Sequence, residues 1–554
     1  QRSNNDNNQN VSYPSLDKRI TDTYAERSVM TSVRTMYDSY IRAIRWASDR
    51  IGECGVIGFV TNAGFLETNS ADGLRKSLQE EFSNIYVFHL RGGIRGKSGE
   101  VAKKEGGNVF DIMVAPAISI MVKNPHSEES GSILFHDIGD YLTRDQKRKK
   151  IEEMCSINGI SDKGLWKNII PDIHGDWLSQ RDNKFELYMP IGMKKGNEET
   201  IFAIFSLGVA TGKDAWCYNY SKYKLYKNIK STISFYNEEL NRFNREIPVS
   251  NRQVRNDAVN NFIDNTPSRI SWTRALKQDI VKGKKLHFSP DHFVKAIYRP
   301  FTFRWMYFDR RMNEMVYQMP RLFPDAKASN LVICMNGIGS RNGTTVWMSN
   351  AIIDLNAFDA GSQCFPLFVY QESKTNSEHP DLLTNTPQTG VTKQDAITDE
   401  GLKHFQDVYS GQVITKEDLF YYVYGLLHSP EYRERYADTL RKELPRIPRV
   451  KTYGAFKAFS DAGRRLGEMH VNFDTQPIFQ GVEIDTGNKN LTSEDYRVTQ
   501  MKYGKGKDKT ILHYNERITV SGIPLEAYDY VVNGKPALDW VVERQCVKTD
   551  KASG

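Results

Sequence analysis

Between Gly55 and Lys123 the apolar positions switch from the spacing of a strand to that of a helix and back. In GVIGFVTNAGFL, Val56, Ile57, Phe59 and Val60 form a short apolar run bounded by glycines, which predicts a strand buried on both faces of a sheet. Through ADGLRKSLQEEF, Leu74, Leu78 and Phe82 fall on one helical stripe that can pack back on that sheet. IYVFHL predicts a second strand and NVFDIMVAPAISIMVK a third, with Pro116 marking a bulge or an edge. Upstream, Tyr37, Tyr40, Ile41, Ile44 and Ile51 share one face of a helix that leads directly into the first strand, whereas residues 1–28 are polar, asparagine-rich and irregular. Such a helix usually follows an earlier strand of the same parallel sheet, and none precedes it. The chain is therefore expected to begin inside an α/β domain.

Beyond Lys123 the pattern predicts a strand in SILFHDI, a solvated helix in TRDQKRKKIEEM, and a polar helix from Lys224 to about Val259. From His287 to Phe368 short strands and turns take over, dense in arginine and aromatic residues, as expected of a separate domain. Residues 372–400 have no apolar period and predict a surface linker. A helical segment spans 415–470: Thr415 and Asp418 form a capping box, Leu419, Phe420, Val423 and Leu427 the buried stripe, and Ser429-Pro430 starts a further helix that Pro445 ends. Asn533-Gly534 predicts a hairpin turn among the last strands.

The 554 residues suffice for two to four domains, and 39% hydrophobic with 26% charged residues describes a soluble globular chain. No apolar run reaches the roughly 20 residues that span a bilayer. Six scattered cysteines, without a CxxC pair or clustered histidines, predict a reduced, cytoplasmic protein with no metal site. The net charge of +7, together with 27 Phe, 8 Trp and 28 Tyr, suits nucleic acid, although a mildly basic enzyme would look similar.

Candidate chemistry lies first at the carboxyl end of the first strand, where open α/β sheets bind ligands: Thr61, Asn62 and Phe65 are cleft candidates, against the plainer reading of sheet and turn residues. The loop RGGIRGKSGEVAKKEGG contains Gly-Lys-Ser, but Arg91 stands where a phosphate-binding loop needs its first glycine, so nucleotide binding there is rejected. What remains is a mobile cationic loop, Arg91, Arg95, Lys97, Lys103 and Lys104, able to track a DNA backbone or simply solvated. Phe110, at the start of the third strand, is either a base-stacking aromatic or core. Farther on, Lys295, Arg299, Arg304, Arg310, Arg311, Arg321 and Arg341 interleave with Tyr298, Phe301, Trp305, Tyr307 and Trp347, and the arginine excess favours DNA contact over surface salt bridges. No self-sufficient catalytic constellation is evident.

The segments NDNNQNVSYPSLDKRITDTYAERS, YDSYIRAIRWASDRI, GFVTNAGFL and VFDIMVAPAISIMVK, followed by GVATGKDAWCYNYS, YRPFTFRWMYFDRR and YVVNGKPALDWVVERQCVKTDKASG, closely resemble type ISP restriction-modification enzymes. In that family a nuclease, a helicase, an N6-adenine methyltransferase and a target-recognition domain share one polypeptide. The resemblance implies a partial Rossmann-like methyltransferase sheet in 1–128, a connector in 129–205, and a mixed α+β target-recognition domain in 206–554. It makes IGFVTNAGFL, GLRKSLQEEF and NVFDIMVAPAISIMVK the sixth, seventh and eighth methyltransferase motifs, and Phe110 the residue that stacks on the flipped adenine.

The family's glycine-rich S-adenosylmethionine loop and Asn-Pro-Pro-Tyr motif are not in this sequence. The resemblance therefore implies a chain that binds double-stranded DNA but neither holds S-adenosylmethionine well nor methylates alone. Its partners would be the upstream methyltransferase half, helicase and nuclease of the same polypeptide. The rival expectation is a stand-alone, non-catalytic DNA-specificity subunit.

Overall fold

Leu74, Leu78 and Phe82 are all buried, and the sheet they pack on is the first of several in a mixed α/β chain. The structure, a computed structural model, describes residues 11–30, 33–95, 97, 99–194, 196–372, 391–487 and 490–554. The asparagine-rich start up to Asn10, Gly96 and Ser98 of the cationic loop, and residues 373–390 of the predicted linker lie outside the described residues. Two units divide the chain: one comprises Gln1–Leu187, Arg341–Gly343 and Tyr436–Glu443, the other Tyr188–Ser340, Thr344–Arg435 and Leu444–Gly554. No helix among the described residues is long and apolar enough to cross a membrane.

In the first unit, β1 (Gly55–Asn62), β2 (Asn84–His89), β3 (Pro116–Lys123), β4 (Ser132–Asp137) and β5 (Lys167–Ile169) form a sheet in the order β1-β3-β2-β4-β5. β3 runs antiparallel to both β1 and β2, while β2 and β4 are parallel. Pro116 thus begins a central strand instead of marking a bulge or an edge, and the first position of a strand tolerates its missing N–H. β1 is one of the two edge strands, and it is not buried on both faces: Val56 and Val60 are 64% and 56% exposed. A run of consecutive apolar residues cannot by itself reveal which face lacks a cover.

The stretch read as irregular folds as α1 (Pro14–Ile20) and a π-helical turn, Thr21–Ala25, because Ile20 and Tyr24 fall on one face and are buried. Helices α2 (Ser39–Arg50) and α3 (Asp72–Glu81) follow where the apolar stripes place them.

Arg75, on α3, has no exposed surface. It donates from Nε to the Gly175 carbonyl (2.8 Å), from one terminal nitrogen to the Phe65 and Thr68 carbonyls (2.9 Å each), and from the other to Asp176 (2.9 Å). Asp176, 1% exposed, also pairs with Lys442 at 2.9 Å.

The second unit contains β6 (Ser206–Leu207), β7 (Tyr218–Asn219), β8 (Phe293–Arg299), β9 (Thr302–Tyr307), β10 (Val332–Met335), β11 (Val346–Ser349), β12 (Ile352–Ile353) and β13 (Gln363–Pro366). They form two sheets ordered β12-β8-β9-β7 and β11-β10-β13-β6. Three helices, Lys222–Glu246, Arg252–Phe262 and Arg274–Val281, bury Leu225, Tyr236, Phe243 and Leu276 in a core shared with Tyr307. The end of the polar stretch is structured: Val391–Asp395 pairs antiparallel with Phe368–Glu372. The capping box of Thr415 and Asp418 is present, and Asn533-Gly534 turns a hairpin with both residues at positive φ.

Helices Lys416–Leu427 and Tyr453–Val471 approach closely: a Cβ on Gly463 would lie 2.1 Å from the Tyr421 carbonyl oxygen, so only glycine fits there. At the end of the longer helix His470, 5% exposed, is bonded through its two ring nitrogens to the Tyr424 and Tyr530 hydroxyls and stacks on Trp347. Burial, reinforced by Arg433, pushes its pKa down from 6.5 to about 4.

Two outcomes follow. Arg75→Ala leaves the buried Gly175, Phe65 and Thr68 carbonyls without their donor and weakens the pairing of Asp176, which keeps Lys442 beside it, and should cost about 3–5 kcal/mol in urea unfolding of the first unit. In the second unit the unfolded chain binds a proton at His470 that the folded one refuses. Stability is therefore full above about pH 6.5 and falls as pH drops toward 4, by about 3 kcal/mol, a slope that His470→Gln should flatten in denaturant titrations.

Candidate nucleic-acid interface

In the first unit the cationic loop is knit to the protein and not free. Its latter part is a short helix, Gly99–Glu105, whose last residue is only 8% exposed. Glu105 accepts from the Gly93 N–H (2.9 Å) and from Lys97 (2.5 Å), and its carbonyl accepts from the buried Lys147 ammonium (2.7 Å). The next residue, Gly106, is at φ 66°, and a Cβ there would lie 2.1 Å from the Leu142 carbonyl oxygen.

Arg91 is consumed by ion pairs with Asp137 (2.6 Å) and Asp140. Against the opposing effect of burial, hydrogen bonds from His89 and Arg91 hold the Asp137 carboxyl below its ordinary value. Arg95 is exposed and its carbonyl accepts from Arg341 at 2.6 Å. Lys103, 73% exposed with Glu100 3.4 Å away, and the exposed Lys104 are the loop's outward cations.

Phe110 lies six residues before β3, in a turn, and is 51% exposed. Asn108 builds that turn. Its amide nitrogen donates to the Gly92 and Val114 carbonyls (3.0 and 2.9 Å), and its oxygen accepts from the Phe110 and Ile112 N–H groups (2.9 and 3.3 Å). Asp111, at φ 55°, completes the reversal and pairs with Arg144.

At the end of β1, the Thr61 hydroxyl is buried with no hydrogen-bond partner among the described residues, and the Asn62 oxygen accepts from the Gly64 N–H at 2.9 Å. Phe65 has no exposed surface and packs edge-on against Trp177 (centroids 6.2 Å), so its ring is core and does not line a cleft. A 3-10 turn, Ala63–Leu66, carries it inward.

In the second unit the arginines divide. Arg299 pairs with Asp354 (2.8 Å) and lies over the Tyr298 ring (4.0 Å), and Arg304 lies over both Tyr298 (4.1 Å) and Tyr220 (4.7 Å). Both are therefore held within the fold. Burial first, then the nearby Asp214, pushes the Asp354 carboxyl up to about 6, with Arg299 opposing.

Arg310 and Arg311 instead border a groove of about 1210 Å³, together with Lys194, Lys284, Gln318 and Arg321. Among the described residues three acids line the groove, Asp279, Asp309 and Glu314, and the last two are already engaged. Asp309 accepts from the Arg311 and Met312 N–H groups (2.9 and 2.8 Å) and pairs with His292 (3.3 Å); Glu314 accepts from the Ala275 N–H (3.1 Å), near the start of the helix Arg274–Val281. Arg311 donates to the Lys285 carbonyl at 2.7 Å. The sequence pattern did not single out Lys194, Lys284, Gln318, Glu105 or Asn108. The glycines at 92, 93, 106 and 107 were the local signals of a close approach.

The loss of Asn108 should be local. Asn108→Ala removes four hydrogen bonds at once, so amide exchange across 108–114 should speed up while the unit's unfolding free energy falls by about 1–3 kcal/mol; unchanged exchange would mean the turn is held otherwise.

Residues 200–554 match the family model of the Type ISP C-terminal specificity domain. No curated protein matches the chain. Among solved structures, all of this chain aligns with 34% of the ATP-dependent Type ISP restriction-modification enzyme LlaBIII bound to DNA (35% identity, TM-score 0.85). It likewise aligns with 40% of a nuclease-deletion mutant of the Type ISP enzyme LlaGI in complex with a DNA substrate mimic (38%, 0.82), and with 52% of DrdV in a DNA complex (31%, 0.79). The chain thus spans about a third to a half of the length of these proteins.

Proposed function

The chain belongs to the Type ISP restriction-modification family, and from that premise we propose that it recognises a specific sequence in double-stranded DNA. The observation that carries this reading is the groove of the second unit, where Lys194, Lys284, Arg310, Arg311 and Arg321 face solvent while two of its three acids, Asp309 and Glu314, are spent on backbone N–H groups, the third being Asp279. An array of cations that outnumbers the acids beside it, most of which are engaged, suits a phosphate backbone. The three solved relatives, each described as bound to DNA or to a DNA mimic, support the same reading.

For the longer polypeptide we propose S-adenosylmethionine-dependent methylation of adenine N6, with the helicase and nuclease regions upstream. Phe110 supports this, being half-exposed on a rigid turn where the resemblance requires an aromatic to stack on an extruded base. The exposed Val56 and Val60 on β1 offer the upstream half an apolar surface, which favours that arrangement over a stand-alone specificity subunit. At the end of β1 the Asn62 side chain is engaged with Gly64, and the Phe65 ring is core.

DNA binding by the 554-residue chain, measured against salt, tests the proposal. Lys284→Ala and Arg310→Ala should each weaken binding to all duplexes and lower the slope of log K against log salt by about 0.9. Slopes that match the unsubstituted chain would remove the groove from the interface.

A further inference from the structure

One wall of the groove differs chemically from its cationic rim. Met315, Gln318 and Arg321 fall three residues apart and all line it, whereas Val316, Met319 and Leu322 beside them are 2%, 0% and 0% exposed. Met315 sits in a β-bridge to Ala210, a turn follows at Tyr317 and Gln318, and Met319–Leu322 is a short α-helix, so one set of side chains anchors in the core while Met315, Gln318 and Arg321 are exposed beside the groove.

The row is fixed through its backbone. Ala210 and Met315 exchange two N–H···O bonds of 2.9 Å, Gln318 N–H donates to Ser206 Oγ at 3.0 Å, and Arg321 N–H donates to the Gln318 carbonyl at 2.8 Å. Tyr317 is held at φ 48°, a conformation rare for a side chain of its size and found where a surface is shaped ahead of its ligand. The Gln318 and Arg321 side chains are exposed, and among the described residues neither has a hydrogen-bond or ion-pair partner.

The geometry points to Met315, Gln318 and Arg321 as the row that reads base edges of duplex DNA, an inference that rests on the DNA reading of this groove. A planar amide can pair bidentately with adenine, a guanidinium fork with guanine, and an apolar tip can meet the thymine methyl, which are the chemistries that distinguish base pairs in the major groove. Lys194 and Lys284 are point charges that hold phosphate without discriminating sequence. Recognition is thereby divided within one groove: the rim positions the duplex and the row selects it.

The test is selection of bound duplexes from a library with a randomised central segment, using the 554-residue chain and its variants. The unsubstituted chain should enrich one sequence. Gln318→Ala should lose roughly 5- to 150-fold discrimination at an A·T pair and Arg321→Ala a similar factor at a G·C pair. Lys284→Ala should weaken all sequences alike and keep the preference. Arg321→Lys keeps the charge without the fork and should lose the same preference, and it stands in if Arg321→Ala does not fold.

If Gln318→Ala and Arg321→Ala weaken all sequences equally, the two side chains touch backbone and base reading by this row is overturned. If they change neither affinity nor preference, recognition lies elsewhere. A failure of the unsubstituted chain to enrich any duplex would instead overturn the DNA reading itself.

Discussion

A guanidinium with no exposed surface holds the first unit together. Arg75 reaches from the helix Asp72–Glu81 to the turn after β1, through the Phe65 and Thr68 carbonyls, and to the segment at Gly175 and Asp176. Asp176 in turn brings in Lys442 from a part of the chain remote in sequence. Taking such charges out of water costs several kcal/mol each, and the cost is met only because each guanidinium nitrogen finds a carbonyl or carboxylate at bonding distance. The end of β1, where Thr61 and Asn62 sit, is therefore placed by a network that a small shift of any member would break.

Much of this fold is legible in the sequence, because it depends on local rules. The spacing of Leu74, Leu78 and Phe82, the Thr415 and Asp418 capping box and the Asn533-Gly534 turn each follow from one element's own chemistry, and each is present. What the sequence does not reveal depends on partners distant along the chain. Phe65 reads as a cleft residue from its position after a strand, but Trp177 and a 3-10 turn make it core. The loop at 91–107 reads as mobile from its glycines and lysines, yet a buried Glu105 and the Lys147 ammonium tie it down.

The arginine-rich segment shows the same limit for charge. Composition marks Arg299, Arg304, Arg310 and Arg311 alike, but the fold spends the first two on Asp354 and on the rings of Tyr298 and Tyr220. An arginine on a strand beside aromatic rings of the same or the neighbouring strand is positioned to stack inside a sheet layer, as Arg299 and Arg304 do on Tyr298, whereas one in the turn after the strand is positioned to face solvent. Arg299 and Arg304 lie in β8 and β9, and Arg310 and Arg311 follow β9. Element boundaries therefore sort these cations better than their number does.

Phe110 and the Met315 row share one construction: an outward side chain fixed through the backbone that carries it. Asn108 bonds the N–H of Phe110, and Ser206 bonds the N–H of Gln318, while the exposed groups themselves stay unspent. A side chain anchored by its own contacts must break them to meet a ligand. One anchored through its backbone gives up only rotamer freedom, about 0.5–1.5 kcal/mol for each flexible side chain. The same economy explains why Asp309 and Glu314 beside the groove are bonded to backbone N–H groups. Carboxylates satisfied in that way hold the wall in shape and leave the neighbouring cations their full charge for a polyanion.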